Sequence, residues 1–229
     1  MTILKGRPQM AQKSQPSNGK WVVLAIVAAI AAALLVAVVV GGGDDEGSGT
    51  TNSLPGGDVL TQENQPVVIE GTALEPLGDE AIDPMLGQVA PTLNGATFDG
   101  SGVSVTPGDG QAYMIVFLAH WCPHCNREVP RLIEWQASGA VPSELQVVGV
   151  STAVASDRPN YPPSQWVVDK GWTWPILADS SSREAAEAYG VSGFPFFVIV
   201  GADGTVKARV SGEVEIPALT QIVSDALAD

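Results

Sequence analysis

Cys122 and Cys125 are the only cysteines in 229 residues, set three apart in "FLAHWCPHCNREVP" with His120 and His124 beside them. Residues of these types could form a structural disulfide, part of a metal site, or a thiol pair that opens and closes. As a staple, the link would enclose about four residues and constrain the unfolded chain by only roughly 2 kcal/mol, against about 4.7 for a loop of 100. A structural zinc site needs four ligands arranged tetrahedrally. Two cysteines and two histidines crowded into one six-residue stretch converge poorly on one ion, so no metal and no cofactor is expected.

The redox reading explains the position of the pair as well as its spacing. Cys122 follows an apolar run and precedes Pro123, a residue suited to the first helical position. Cys122 is therefore expected at the N-cap, its sulfur facing the free amides of His124 and Cys125. Those donors and the helix dipole favour a thiolate. Cys125, one turn further in, is expected to be more buried. Cys122 would then be the exposed attacking and accepting sulfur, and Cys125 the one that resolves the mixed disulfide.

His124 can add a positive charge or a donor beside Cys122. The gain in thiolate is largely offset by lost nucleophilicity, since the Brønsted slope is about 0.4 to 0.5. Cys122 thus attacks no faster but leaves more readily, and a stabilised reduced form makes the disulfide more oxidising. That favours a disulfide donor, with a structural or merely solvated His124 as the bland alternative.

The elements that must position this pair alternate. "TFDGSGVSV" and "AYMIVFLA" predict strands, and "PHCNREVPRLIEWQASG" predicts a helix with Val129, Leu132, Ile133 and Trp135 on one side. "LQVVGVST" predicts a buried strand, "PPSQWVVDKG" a helix opened by prolines, and "SSREAAEAYG" a helix begun by a serine cap. "FPFFVIV" and "TVKARVSG" predict a hairpin around "ADG", and "IPALTQIVSDALAD" a closing helix. Such an order implies an α/β domain with a mixed central sheet and helices on both faces. Trp166, Trp172 and Trp174 are expected in packing, with a substrate-groove wall as the alternative.

The N-terminal part differs in kind. Trp21 to Val40 are twenty uncharged residues, long enough as a helix to cross about 30 Å of hydrocarbon. Lys5, Arg7, Lys13 and Lys20 precede the run and "GGGDDEGSG" follows it, which leaves the N-terminus in the cytoplasm. The expected organisation is a basic tail (1–20), a transmembrane helix (21–40), a flexible linker (41–65), an extended arm (66–86) and a redox domain (87–229). A cleaved signal peptide is the rival to a retained anchor, but its apolar core normally runs only about 7 to 15 residues. Beyond the tail, seven Lys and Arg face 25 acids. That balance excludes a phosphate-neutralising nucleic-acid binder and suits a solvated, monomeric surface.

"WCPHC" after an apolar strand, with "GFPFF" about 70 residues later and an "ADG" hairpin behind it, resembles the thioredoxin fold. More narrowly, "GQVAPTL", "CPHCNREVP", "GVST", "WPILAD", "AYGVSGFP" and the single anchor resemble the membrane-tethered TlpA/ResA-type thiol-disulfide oxidoreductases, or redoxin-domain proteins, over residues 87–229. The resemblance implies that Cys122 is the nucleophile and Cys125 the resolving cysteine. It implies that Pro195 follows a cis peptide bond, which sets the Phe194 backbone beside the sulfurs to pair with an extended substrate. Trp121, Pro123 and Phe194 would then contact substrate. Glu128 matches the family's active-site acid, either a proton relay to Cys125 or an exposed helix carboxylate. Pro130 would kink the helix.

Three departures qualify the likeness. Val116 stands where thioredoxins proper carry a buried aspartate, and Phe194 where smaller residues are commoner. Pro123-His124 is the dipeptide of DsbA oxidases, and the span from about −270 to about −120 mV is worth roughly 7 kcal/mol. The expected activity is disulfide donation to exported proteins, reset by a membrane or extracytoplasmic redox partner. Its alternative is reduction, for example in cytochrome c maturation. A thiol peroxidase is a further class, since "GQVAP" also occurs in peroxiredoxins, but that chemistry wants Thr or Ser where this chain has Ala119. A non-catalytic binding module on the same scaffold is the last.

Overall fold

The computed structural model describes residues 62–228, and the tail, the proposed membrane helix and most of the linker lie outside them. Among the described residues no helix is long and apolar enough to cross a membrane. The chain runs β1 (Val68–Glu70), β2 (Thr92–Ala96), β3 (Gly102–Val105), β4 (Ala112–Leu118), α1 (Pro123–Ala137), β5 (Leu145–Ser151) and α2 (Pro163–Asp169). It continues through β6 (Ile176–Ala178), α3 (Glu184–Ala188), β7 (Phe196–Val200), β8 (Val206–Ser211) and α4 (Ile216–Ala228).

Five strands form the central sheet in the order β6-β5-β4-β7-β8. β4, β5 and β6 run parallel, β7 pairs antiparallel with β4 and β8 antiparallel with β7, so the sheet is mixed as expected. All seven residues of β4 are buried because both of its faces are covered. Met114, Val116 and Leu118 pack with Val129, Leu132 and Trp135 of α1 and with Leu219 and Val223 of α4. Tyr113, Ile115 and Phe117 pack instead with Leu93, Val103, Val105 and Tyr189. Val116 is thus part of an apolar layer.

Several local expectations are corrected. Helices do lie on both faces, α1, α2 and α4 on one and the short α3 on the other, but the second face also carries the small antiparallel sheet β1-β2-β3, which was not foreseen. The stretch "TFDGSGVSV" is not one strand, since Thr97 to Ser101 form a turn closed by the Thr97 amide donating to the Ser101 carbonyl at 2.8 Å. α3 has no serine N-cap of its own; Arg183 sits there at φ 63°. Its first amides donate to Ser180 Oγ (Glu184, 3.1 Å) and to the Asp179 carboxylate (Ala185, 2.9 Å; Ala186, 3.2 Å). Trp166 and Trp172 are buried and Trp174 packs against the same core, which fits packing and not a groove wall.

The arm is docked on the domain. Leu74 and Leu77 amides donate to the carbonyls of Ala188 and Gly190. Gly190, at φ +65°, leaves no room for a side chain, since a Cβ there would lie 2.2 Å from the Glu75 carbonyl oxygen. Residues 62–65, assigned above to the linker, are tied down too. The Glu63 carboxylate accepts from the Ser164 amide and hydroxyl at 2.9 and 2.6 Å, and Asn64 donates to the Asp179 carbonyl. Arg209 of β8 is fully buried and grips Asp83 through two bonds of 2.6 and 2.7 Å. Arg209 thereby holds the Asp83 carboxyl below the usual carboxylate range.

Removing one member of such a pair strands the other charge, a loss of about 3 kcal/mol. Asp83→Ala should lower stability by about that amount in urea titrations, and adding Arg209→Met should restore most of it.

Candidate active site

Cys122 sits where β4 hands over to α1. Its backbone is extended (φ −73°, ψ 122°), Pro123 takes the first helical position, and the Asn126 amide makes the first helical bond to the Cys122 carbonyl at 3.1 Å. The N-cap placement holds, but the sulfur makes no capping bond to the helix amides. A protonated thiol is a donor and needs an acceptor, which it finds in the Phe194 carbonyl at 3.5 Å. Phe194-Pro195 is a cis peptide, so Pro195 and the Phe194 backbone stand beside the sulfur as the resemblance implied. Cys122 is less open than expected, at 6% exposure.

Cys125 is sealed entirely, and both cysteines are free thiols. Burial pushes the Cys125 thiol far up, opposed by a hydrogen bond to the Ala119 backbone and reinforced by Cys122 and by the nearby Glu128. Ala119, where a peroxidase would place a hydroxyl, is itself wholly buried. Trp121 is held by Nε1–H donation to the Ala153 carbonyl at 2.8 Å and meets Phe194 edge-on at 6.2 Å, so these two rings flank Cys122.

His120 faces inward. Its Nε2 accepts from the Ala155 amide at 3.2 Å, so Nδ1 carries the proton and donates to the Pro159 carbonyl at 2.9 Å. Burial lowers its pKa, which suits a neutral brace for the loop between β5 and α2. His124 faces outward and is caught by the loop after β8. Its Nδ1 lies 2.5 Å from Glu213 Oε1 and 2.8 Å from Arg127 Nη2, so imidazole, guanidinium and carboxylate form one cluster. Arg127 grips the same carboxylate at 2.6 Å, and these two partners, Arg127 first, hold the Glu213 carboxyl down at about 2.

Glu128 proves fully buried, which removes the exposed-carboxylate alternative. Its oxygens receive only long contacts of 3.4 Å from the Val214 amide and from Arg131. Burial therefore prevails and raises its pKa. Asp179 is equally buried and also raised, but it accepts four bonds, from the Thr152 hydroxyl at 2.6 Å and the amides of Ser180, Ala185 and Ala186. Asp179 is a structural cap, whereas the ionised form of Glu128 is poorly compensated. Pro130 lies inside the unbroken helix, and the Asn126 carbonyl it leaves without a helical donor accepts from Lys170 Nζ at 3.4 Å.

Glu213, Arg127 and Arg131 escaped the sequence reading. Glu213 is 89 positions from His124, and only the return of β8 beside β7 brings them together. Asp179 carried a weak signal, an acid just before a predicted helix. Among the described residues no cluster of ligating side chains could hold a metal ion. A cavity of about 570 Å³ is lined by Gln111, Glu144, Asp203 and Lys207 at the end of β4 remote from Cys122.

A carboxyl with a raised folded pKa favours the folded state below the ordinary carboxylate range, and that contribution is lost as pH rises through the raised value. Glu128→Gln should therefore match the parent in stability near pH 4 and exceed it increasingly towards pH 8. A gap in urea midpoints that stays flat with pH would remove Glu128 as the titrating group.

The AhpC/TSA family model matches residues 86–209. The soluble secreted antigen MPT53 of Mycobacterium tuberculosis is 34% identical over 55% of this chain, and the match spans 65% of that protein's length. The thiol-disulfide oxidoreductase ResA of Oceanobacillus iheyensis is 25% identical over 65% of this chain and 72% of its own. A thioredoxin-family thiol:disulfide interchange protein from Chlorobium tepidum superposes with a TM-score of 0.51 at 26% identity, covering 61% of this chain and 96% of the other. The chain belongs to the AhpC/TSA family and, within it, resembles the ResA-type thioredoxin-fold proteins.

Proposed function

We propose that this protein is a thiol-disulfide oxidoreductase, anchored in the membrane by residues 21–40 with its domain outside the cytoplasm, that donates disulfides to exported proteins. The observation that carries the reading is the unequal thiol pair: Cys122 at a helix start against the Phe194 carbonyl, Cys125 sealed behind it with a strongly raised pKa. A substrate thiolate attacks Cys122 Sγ, and the Cys122–Cys125 bond breaks with Cys125 leaving. A second substrate thiolate then attacks its own mixed-disulfide sulfur and expels Cys122. Two electrons pass to the enzyme pair, and Glu128 supplies the proton that Cys125 takes up. An extracytoplasmic or membrane partner must then reoxidise the pair.

The Pro123-His124 dipeptide and the Arg127 guanidinium support donation, since positive charge beside Cys122 favours its departure. The contrary reading, a reductant, draws support from Glu213, whose carboxylate offsets the Arg127 charge. Peroxidase chemistry is disfavoured by Ala119. The basic residues before Trp21 and the acids after Val40 support the orientation.

Equilibration of the full-length chain with glutathione distinguishes the directions. A potential above about −180 mV is expected for a donor, and a value near −270 mV or below sinks donation. Cys122→Ser should abolish exchange, and Cys125→Ser should accumulate mixed disulfides visible on non-reducing gels. For topology, a reporter fused after Asp229 should be active only outside the cytoplasm.

A further inference from the structure

Past the N-terminal tail the chain has seven cationic side chains, and six have polar partners among the described residues. Arg127 binds Glu213, Arg131 meets Glu128, Glu213 and Glu215, Arg183 pairs with Glu187, Lys207 with Asp203 and Arg209 with Asp83. Lys170 donates to the Asn126 carbonyl. Arg158 is the exception. Its guanidinium makes no hydrogen bond or ion pair among the described residues, not even with its neighbour Asp157, and lies 5.7 Å over the Trp121 ring.

That position is built. Trp121 is the residue before Cys122, and its ring is pinned by Ala153 and Phe194. The loop carrying Arg158 is fastened at both His120 nitrogens, through Ala155 and Pro159, and again by Asn160 donating to the His120 carbonyl at 3.0 Å. The Arg158 amide closes a turn on the Ala155 carbonyl at 3.2 Å. An exposed guanidinium stacked on an aromatic face keeps its in-plane N–H donors free for a carboxylate. On a surface where acids outnumber bases so heavily, an acidic ligand is repelled elsewhere and received here.

We propose that Arg158 is a specificity residue that selects polypeptide substrates carrying an Asp or Glu beside the reacting cysteine. This rests on the thiol-disulfide exchange assigned above and names the substrate class of that site. The chemical step is unchanged: the substrate thiolate attacks Cys122 Sγ and Cys125 leaves, while Arg158 holds the neighbouring carboxylate.

The test uses the oxidised full-length chain and two synthetic dithiol peptides that differ only in a Glu or a Lys next to the first cysteine, with dithiothreitol as an uncharged dithiol. The parent should prefer the Glu peptide by about fivefold in kcat/KM, the scale of one exposed charge pair, and the preference should shrink in high salt. Arg158→Lys should keep the preference, Arg158→Ala should level it and Arg158→Glu should invert it. Equal rates for the two peptides with the parent, or a preference unmoved by Arg158→Glu, would overturn the proposal while exchange itself stands. If neither peptide nor dithiothreitol reduces the pair, the oxidoreductase reading fails and takes this one with it.

Discussion

A strand with no exposed residue must be covered on both faces, and β4 is such a strand. Its alternate side chains feed two separate apolar layers. At about 25 cal/mol per Å² of apolar area removed from water, these layers are the main stabilising term of the domain. The layer under α1 requires the chain to turn back directly after Leu118, because Val129, Leu132 and Trp135 must lie over Met114, Val116 and Leu118. Cys122 occupies the turn and Cys125 the first turn of the covering helix. The unequal burial of the two sulfurs thus follows from packing: one is at the rim of the layer, the other within it.

The same packing explains why two carboxylates survive in the interior with different roles. Asp179 closes β6 and receives the first amides of α3, groups that a helix start leaves without partners. Its charge has work to do in the fold, and four donors meet it. Glu128 projects from α1 under the loop that follows β8, where the nearest donors stop at 3.4 Å. Nothing in the local geometry compensates its ionised form well. A buried acid that is poorly compensated exchanges its proton at a higher pH, which is the property a proton donor to Cys125 needs.

The sequence made the fold legible wherever periodicity was long and the covering layer complete. β4, β5, β7, α1 and α4 all sit where their apolar patterns placed them. It failed where short-range chemistry decided the outcome. The turn at Thr97 to Ser101 splits an apparently continuous strand, and the cap of α3 comes from residues ahead of the serines that looked like one. The place of Cys122 at the start of α1 was legible in the motif, and the cis bond between Phe194 and Pro195 in the resemblance. The partner of His124 was not, because no local signal in "SGEVE" announces that β8 will return Glu213 to the first turn of α1.

That missing partner alters how the dipeptide between the cysteines should be understood. Reasoning from Pro123-His124 alone treats the imidazole as an independent cation beside the sulfur. In the folded chain it shares a carboxylate with Arg127, and that carboxylate stays ionised at every pH at which the protein would work. The field at Cys122 is therefore set by Arg127 and Glu213 together with the imidazole beside them, and Arg131 ties the anion to Glu128. A second chain with the same four-residue motif but another residue after β8 would present a different field to the same sulfur. Under the proposed exchange, the ease with which Cys122 departs depends on where the last hairpin places Glu213 as well as on the two residues between the cysteines.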